Sequence, residues 1–190
     1  MNQASVIARL KQFEGCVNYM YKCTGGEVTI GIGHALQTAA DAARLSWQIN
    51  SAPASAERVR SDYEAVAATP KGPVAGAYAH LTLCRMAVED ADKLVAADVQ
   101  SFESQLAAAL PKWNTYAEPA QEALFDMAFN LGLGGLKKFP HMLRAVDAGD
   151  WATAAAQCHR EGISEERNRA TAALFLQAGA SPGAGAAQTS

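Results

Sequence analysis

The hydrophobic period of this chain switches from helical to extended within a few residues, and no other feature constrains its fold as strongly. Val6, Ile7, Leu10 and Phe13 recur at helical spacing and Gly15 follows as a stop, so an amphipathic helix is expected over residues 3–14. Val17, Tyr19 and Tyr21, then Val28, Ile30 and Ile32, alternate about Gly25-Gly26, which predicts an antiparallel hairpin. Cys23 and Thr29 have the same parity. Only a loop with an odd number of residues, such as Gly25-Gly26-Glu27, sets both on one face, and that loop is expected here with a bulge at glycine.

The remainder reads as helical. From Gln37 to Ala79 the pattern loosens around Pro53, Pro70 and Pro73, and Ser55 can cap a helix that carries Val59, Tyr63 and Val66 on one face. Leu94, Val95, Val99, Phe102 and Leu106 predict one long helix from Val88 to Leu110, ended by Pro111. After Pro119 come helices over 120–131, 139–148, 151–158 and 165–177, with a break at Gly132 to Gly135; the end GASPGAGAAQTS reads as a flexible tail. With 49% hydrophobic and 18% charged residues in 190, the chain has enough apolar surface to fold as one compact domain.

Composition excludes several classes. Sixteen Lys and Arg against nineteen Asp and Glu give −3, so neither nucleic acid nor an anionic membrane is an expected partner. No apolar run approaches the roughly 18 residues a membrane span needs, and MNQASVIARLKQFEG holds no uninterrupted apolar core of a signal peptide. Cys16, Cys23, Cys84 and Cys158 are spaced without any CxxC and without clustering on the histidines; no metal or cofactor is expected, and buried free thiols are.

Glu14 ends the first helix beside Phe13 and Val17, where partial desolvation is expected to keep its carboxyl protonated as a donor. A thiol at Cys23 and a hydroxyl at Thr29, on one face of the adjoining hairpin, can hold a water opposite that acid. The spacing is Glu14, eight residues, Cys23, five residues, Thr29, and TIGIGHAL runs on from it without a gap. FNLGLGGLKKF near Phe129 and ERNRATAALF, with Asn168-Arg169-Ala170, follow in order. Together these resemble the phage-type lysozymes, the endolysin muramidases of glycoside hydrolase family twenty-four, over nearly the whole chain except the Gln37 to Ala79 excursion and the tail.

The resemblance implies an α+β, mainly helical, lysozyme-like fold, with a small α/β lobe and a larger helical lobe joined by a long helix. On that reading residues 1–180 form a single bilobed domain. Residues 15–87 make the small lobe with a helical insertion at 37–79, 88–110 the connecting helix, and 111–180 with 1–14 the helical lobe; 181–190 are the tail. The implied activity is hydrolysis of the β-1,4 bond from N-acetylmuramic acid to N-acetylglucosamine in a peptidoglycan strand. Glu14 becomes the general acid, and Cys23 and Thr29 flank the attacking water. Phe129 and Gln157 fall near substrate-contacting positions, with Gln157 where Asn is usual. Arg169 resembles the arginine that pairs with the catalytic glutamate, and His34 supports the site by pairing with a carboxylate.

Two rival readings accompany this one. Cys23 with His34 as base would make a cysteine hydrolase that cuts peptide, which leaves Glu14 and Thr29 unexplained. The missing aspartate at Cys23 motivates a catalytically silent lysozyme fold that binds peptidoglycan or a partner protein. For the active reading a monomer is expected, made in the cytoplasm and brought to the wall by a holin, a secretion machine or an importer, with an immunity protein as a further partner if it is an interbacterial effector. Trp47, Trp113 and Trp151 can stack on sugars or fill a core; Trp47, in the excursion, is the most open between the two.

Overall fold

The computed structural model describes residues 1–23, 25–72 and 74–180, so the expected tail at 181–190 lies outside the described residues. The protein is α+β and mainly helical. It divides into two compact units, one of Leu10–Asp98 and one that joins Met1–Arg9 to the chain from Val99 onward.

Helix α1, Gln3–Glu14, ends where expected because Gly15 takes a left-handed φ of 72°. Strands β1 (Val17–Lys22), β2 (Val28–Gly31) and β3 (His34–Ala35) follow as an antiparallel sheet in that order. Gly31 and Gly33 turn β2 into β3 with φ of 68° and 82°, so glycine is required there by backbone conformation rather than by close approach of another group.

The excursion after the sheet is α2 (Ala39–Ala42), a short hairpin of β4 (Gln48–Ile49) and β5 (Ala52–Pro53), and α3 (Ala56–Ala68). Ser55 caps α3 as expected, accepting from the Arg58 N–H at 3.2 Å, and Val59 and Val66 are buried. Together with Met20, Ile30, Trp47, Tyr78 and Met86 they form the core of this unit. Trp47 is buried and donates from Nε1 to the Ala42 carbonyl at 2.8 Å, which corrects any sugar-stacking role for it. Asp62 on α3 is fully buried; it accepts from the Leu83 and Cys84 N–H groups at 2.8 and 2.7 Å and is paired with Arg58.

Helix α4, Val88–Ala109, matches the expected long helix to within a residue. The second unit then holds α5 (Glu118–Leu136), α6 (Pro140–Ala148), α7 (Trp151–Ala156) and α8 (Glu165–Ala180). Gly132, at φ 72°, breaks α5 at the point where the sequence predicts its end. Trp113 is buried, and Trp151 packs where Gly179 of α8 leaves room: a Cβ there would lie 2.9 Å from its ring. The start of α1 belongs to this unit through Gln3 to Glu103 at 3.0 Å and Ser5 to Glu122 at 2.8 Å.

Candidate active site

The β1–β2 hairpin is built on Lys22 opposite Val28 and Tyr21 opposite Thr29, which leaves five residues, 23–27, between the last pair. The Cys23 N–H donates to the Glu27 carbonyl at 3.0 Å, and the Gly26 N–H to the Cys23 carbonyl at 2.9 Å. The loop is odd, as parity demanded, so Cys23 and Thr29 share a face. The expected bulge at glycine is present: the turn that the Gly26 N–H closes on the Cys23 carbonyl is followed by Gly26 itself at φ 90° before the Cys23–Glu27 pair. A second irregularity lies in β1, where Val17 pairs with Gly31 and four residues of β1 span two of β2. There the Asn18 carbonyl turns to accept from the Met86 N–H at 2.8 Å.

Gly25 passes close to the Cys23 sulfur, where a Cβ on it would lie 3.5 Å away. Burial pushes the thiol up, but the Thr29 hydroxyl and the backbone N–H groups of Glu27, Gly25 and Gly26 donate to the sulfur and bring its pKa below the ordinary thiol value. Successive N–H groups of a tight turn favour an anion in this way. Cys23 is partly exposed, so the sulfur is open to reactants. Thr29 is 1% exposed, and its hydroxyl donates to the Glu27 carbonyl at 2.9 Å.

Glu14 is exposed at the end of α1, which corrects the expected desolvated setting: Gly15 turns the chain at once, and Phe13 alone is drawn partly inward. Its charge, with those of Cys23 and Cys16, acts on Tyr21, whose phenol is raised first by burial and then by these neighbours, while the Gly33 N–H donates to its oxygen.

His34 pairs through Nδ1 with both oxygens of Asp98 at 2.9 Å, and that bond raises its pKa. This occupies the imidazole with a carboxylate. The remaining thiols divide: Cys84 and Cys158 are buried, and burial with the Asp62 hydrogen bond pushes Cys84 up to about 12, whereas Cys16 is exposed, contrary to the expectation of burial. All four are free, and no group of three His, Cys, Asp or Glu among the described residues can hold a metal.

Phe129, Gln157 and Arg169 belong to the other unit. Phe129 stacks on Phe125 with centroids 5.9 Å apart and meets Phe102 edge-on at 5.9 Å. Gln157 is exposed just past α7. Arg169 is exposed on α8 and lines a shallow pocket with His159, Glu165 and Asn168. Asn168 is buried and clasps the Arg160 backbone, accepting from its N–H at 3.1 Å and donating to its carbonyl at 2.9 Å. Beneath lies a charged cluster the sequence reading missed. Asp126 on α5 accepts from Arg160 at 2.8 Å, Arg167 at 2.9 Å and Thr171 at 2.9 Å, all buried. Burial raises the Asp126 carboxyl, but the two guanidinium groups overcome this and lower it.

Comparison with known proteins adds two findings. The family described as phage lysozyme matches residues 11–170. The pre-baseplate central spike protein Gp5 of Enterobacteria phage T4 is 29% identical over 155 residues, which are 79% of this chain but 23% of that protein, so the chain spans about a quarter of its relative's length.

Proposed function

Because the chain belongs to the phage lysozyme family, we propose that it is a peptidoglycan hydrolase that cleaves the β-1,4 bond from N-acetylmuramic acid to N-acetylglucosamine. Glu14 is the general acid and Cys23 the general base. The observation that supports this most is the hairpin register, which sets Cys23 and Thr29 on one face with the thiol partly exposed. A glycosidic oxygen leaves only when protonated, and an incoming water needs a base on the opposite face of the sugar. Most glycosidases supply two carboxylates; a thiolate stabilised by its loop does the same work for the second. Glu14 at a helix end open to solvent, close enough to Tyr21 to act on the same phenol as Cys23, is accessible to a polymer.

In this reading Thr29 lies beside the thiol, His34 fixes the β3 end of the sheet through Asp98, and Phe129, Gln157 and Arg169 take the substrate-contacting and glutamate-pairing places that the resemblance in the sequence implies. Residues 1–180 act as a single lysozyme domain. The partner is a peptidoglycan strand at the cell wall, reached after release or delivery; among the described residues no helix is long and apolar enough to cross a membrane. Digestion of purified peptidoglycan, reduction of the new ends with borohydride and sugar analysis tests the bond assignment. Reduced muramic acid is expected. Reduced glucosamine would move the cut to the other glycosidic bond, and no reduced sugar would leave a silent binding module.

A further inference from the structure

We propose that Lys22 is a positioning residue of this hydrolase: by gripping the C-terminus of α3 it fixes the loop that carries Cys23, and the excursion after the sheet is the brace of the catalytic hairpin. The inference rests on Cys23 as a catalytic group.

Lys22 is the last residue of β1, pairs with Val28 and immediately precedes Cys23. Consecutive residues of a strand point to opposite faces, so Lys22 is aimed away from the face that Cys23 shares with Thr29. On its own side it meets α3. Its Nζ donates to the Ala67 carbonyl at 2.7 Å and to the Thr69 carbonyl at 2.6 Å. The last carbonyls of a helix lack partners within it, and an ammonium group there satisfies them and complements the negative end of the helix dipole. Neighbouring carbonyls are taken by Thr69, which donates from its N–H to Val66 at 3.2 Å and from its hydroxyl to Ala65 at 2.8 Å. Lys22 thus links the sheet to an ordered helix end.

A brace must itself be held. The buried Asp62 carboxylate ties α3 to the Leu83 and Cys84 N–H groups, and the Tyr63 hydroxyl donates to the Gln37 carbonyl at 3.0 Å. Val59 and Val66 lie in the same core as Met20 and Ile30 of the sheet. Between the loop and the helix, by contrast, is a cavity of about 180 Å³ lined by Lys22, Glu27, Val28, Tyr63 and Ala67. Side-chain packing contributes little across that gap, so the two bonds from Lys22 set the loop relative to the helix. Misplacing a reacting group by about an ångström costs about a hundredfold in rate, and a braced loop avoids that loss.

Lys22→Met keeps the stem and removes the ammonium. At equal folded concentration its kcat on peptidoglycan is expected to fall by about tenfold with KM unchanged, because Lys22 faces α3 and acts only through the loop. Lys22→Arg keeps two donors and is expected to stay within about threefold of the wild type. The Cys23 and Gly26 amides, which close the loop, should exchange with deuterium about tenfold faster in Lys22→Met, while the amides of α8 keep their rates. Ala67→Gly loosens the contact from the helix side; it should lower kcat by about threefold alone and add nothing to Lys22→Met. Wild-type kcat in folded Lys22→Met, a loss that Lys22→Arg shares, unchanged exchange in the loop, or an Ala67→Gly loss that adds in full overturns the proposal. Failure of the underlying reading is seen separately, as a wild-type protein that releases no reducing ends or a Glu14→Gln variant that matches it, and loop exchange reads the brace in either case.

Discussion

Cys23 and Thr29 lie on one face at the closed end of the β1–β2 hairpin, and of the two residues Cys23 is the one open to solvent. Burial raises the Cys23 thiol and the hydrogen-bonding groups of Thr29, Glu27, Gly25 and Gly26 lower it by more, with consequences that can be measured without substrate.

Peptide-resolved alkylation by iodoacetamide should modify Cys23 at lower pH than an ordinary thiol and Cys84, pushed up to about 12 beside Asp62, last of all. Gly26→Ala forces a side chain onto φ 90° and should cost about 1–2 kcal/mol while raising the Cys23 midpoint, because the loop N–H groups move. Equal reactivity of Cys23 and Cys84 would remove the thiolate from the account.

The His34–Asp98 pair makes a pH-dependent contribution. Asp98 raises the folded pKa of His34 above 6.5, so the stabilisation is complete below about 6.5 and is lost as pH rises through the folded value. Both side chains are about a third exposed, which limits the effect to about 1 kcal/mol. Urea unfolding of Asp98→Asn should show its deficit at pH 5.5 and little at pH 9; a deficit that grows with pH would contradict the assignment.

Asp126 carries the opposite sign. Its pKa is lowered in the folded protein, so its contribution is present above the usual carboxylate value and is lost as pH falls through the depressed one. Asp126→Asn strands Arg160 and Arg167 in the interior and should destabilise by about 3–5 kcal/mol, read by thermal or urea unfolding at pH 7. A change below 1 kcal/mol would mean that the cluster is solvated in solution.

Water attack and covalent attack by Cys23 differ in stereochemistry. Direct displacement by water inverts the β bond, so proton NMR read before mutarotation should show the α anomer first. A first-formed β anomer, with a glycosyl adduct trapped on Cys23, would make the thiolate a nucleophile.

What the sequence made legible was local. The α1 stop at Gly15, the Ser55 cap and the parity of Cys23 with Thr29 follow from side-chain period and capping chemistry, and the structure has all three. The β4–β5 hairpin was missed because Asn50 and Ser51 turn it with positive φ and no glycine to mark the place. The glycine bulge was legible from Gly25-Gly26, whereas the second irregularity in β1 was not, because the Met86 N–H that the Asn18 carbonyl meets lies 68 residues along the chain. Asp126 had a signal, a lone carboxylate within the apolar run ALFDMAF, but its partners Arg160 and Arg167 are set by tertiary packing.

The central claim is that Glu14 protonates the leaving sugar. Reducing-end release from purified peptidoglycan, compared between the wild type and Glu14→Gln at equal folded concentration, tests it most directly. The variant keeps the shape and loses the transferable proton, so release should fall by at least about a hundredfold. Release at the wild-type rate, or a wild type that frees amino groups and no reducing ends, would contradict it.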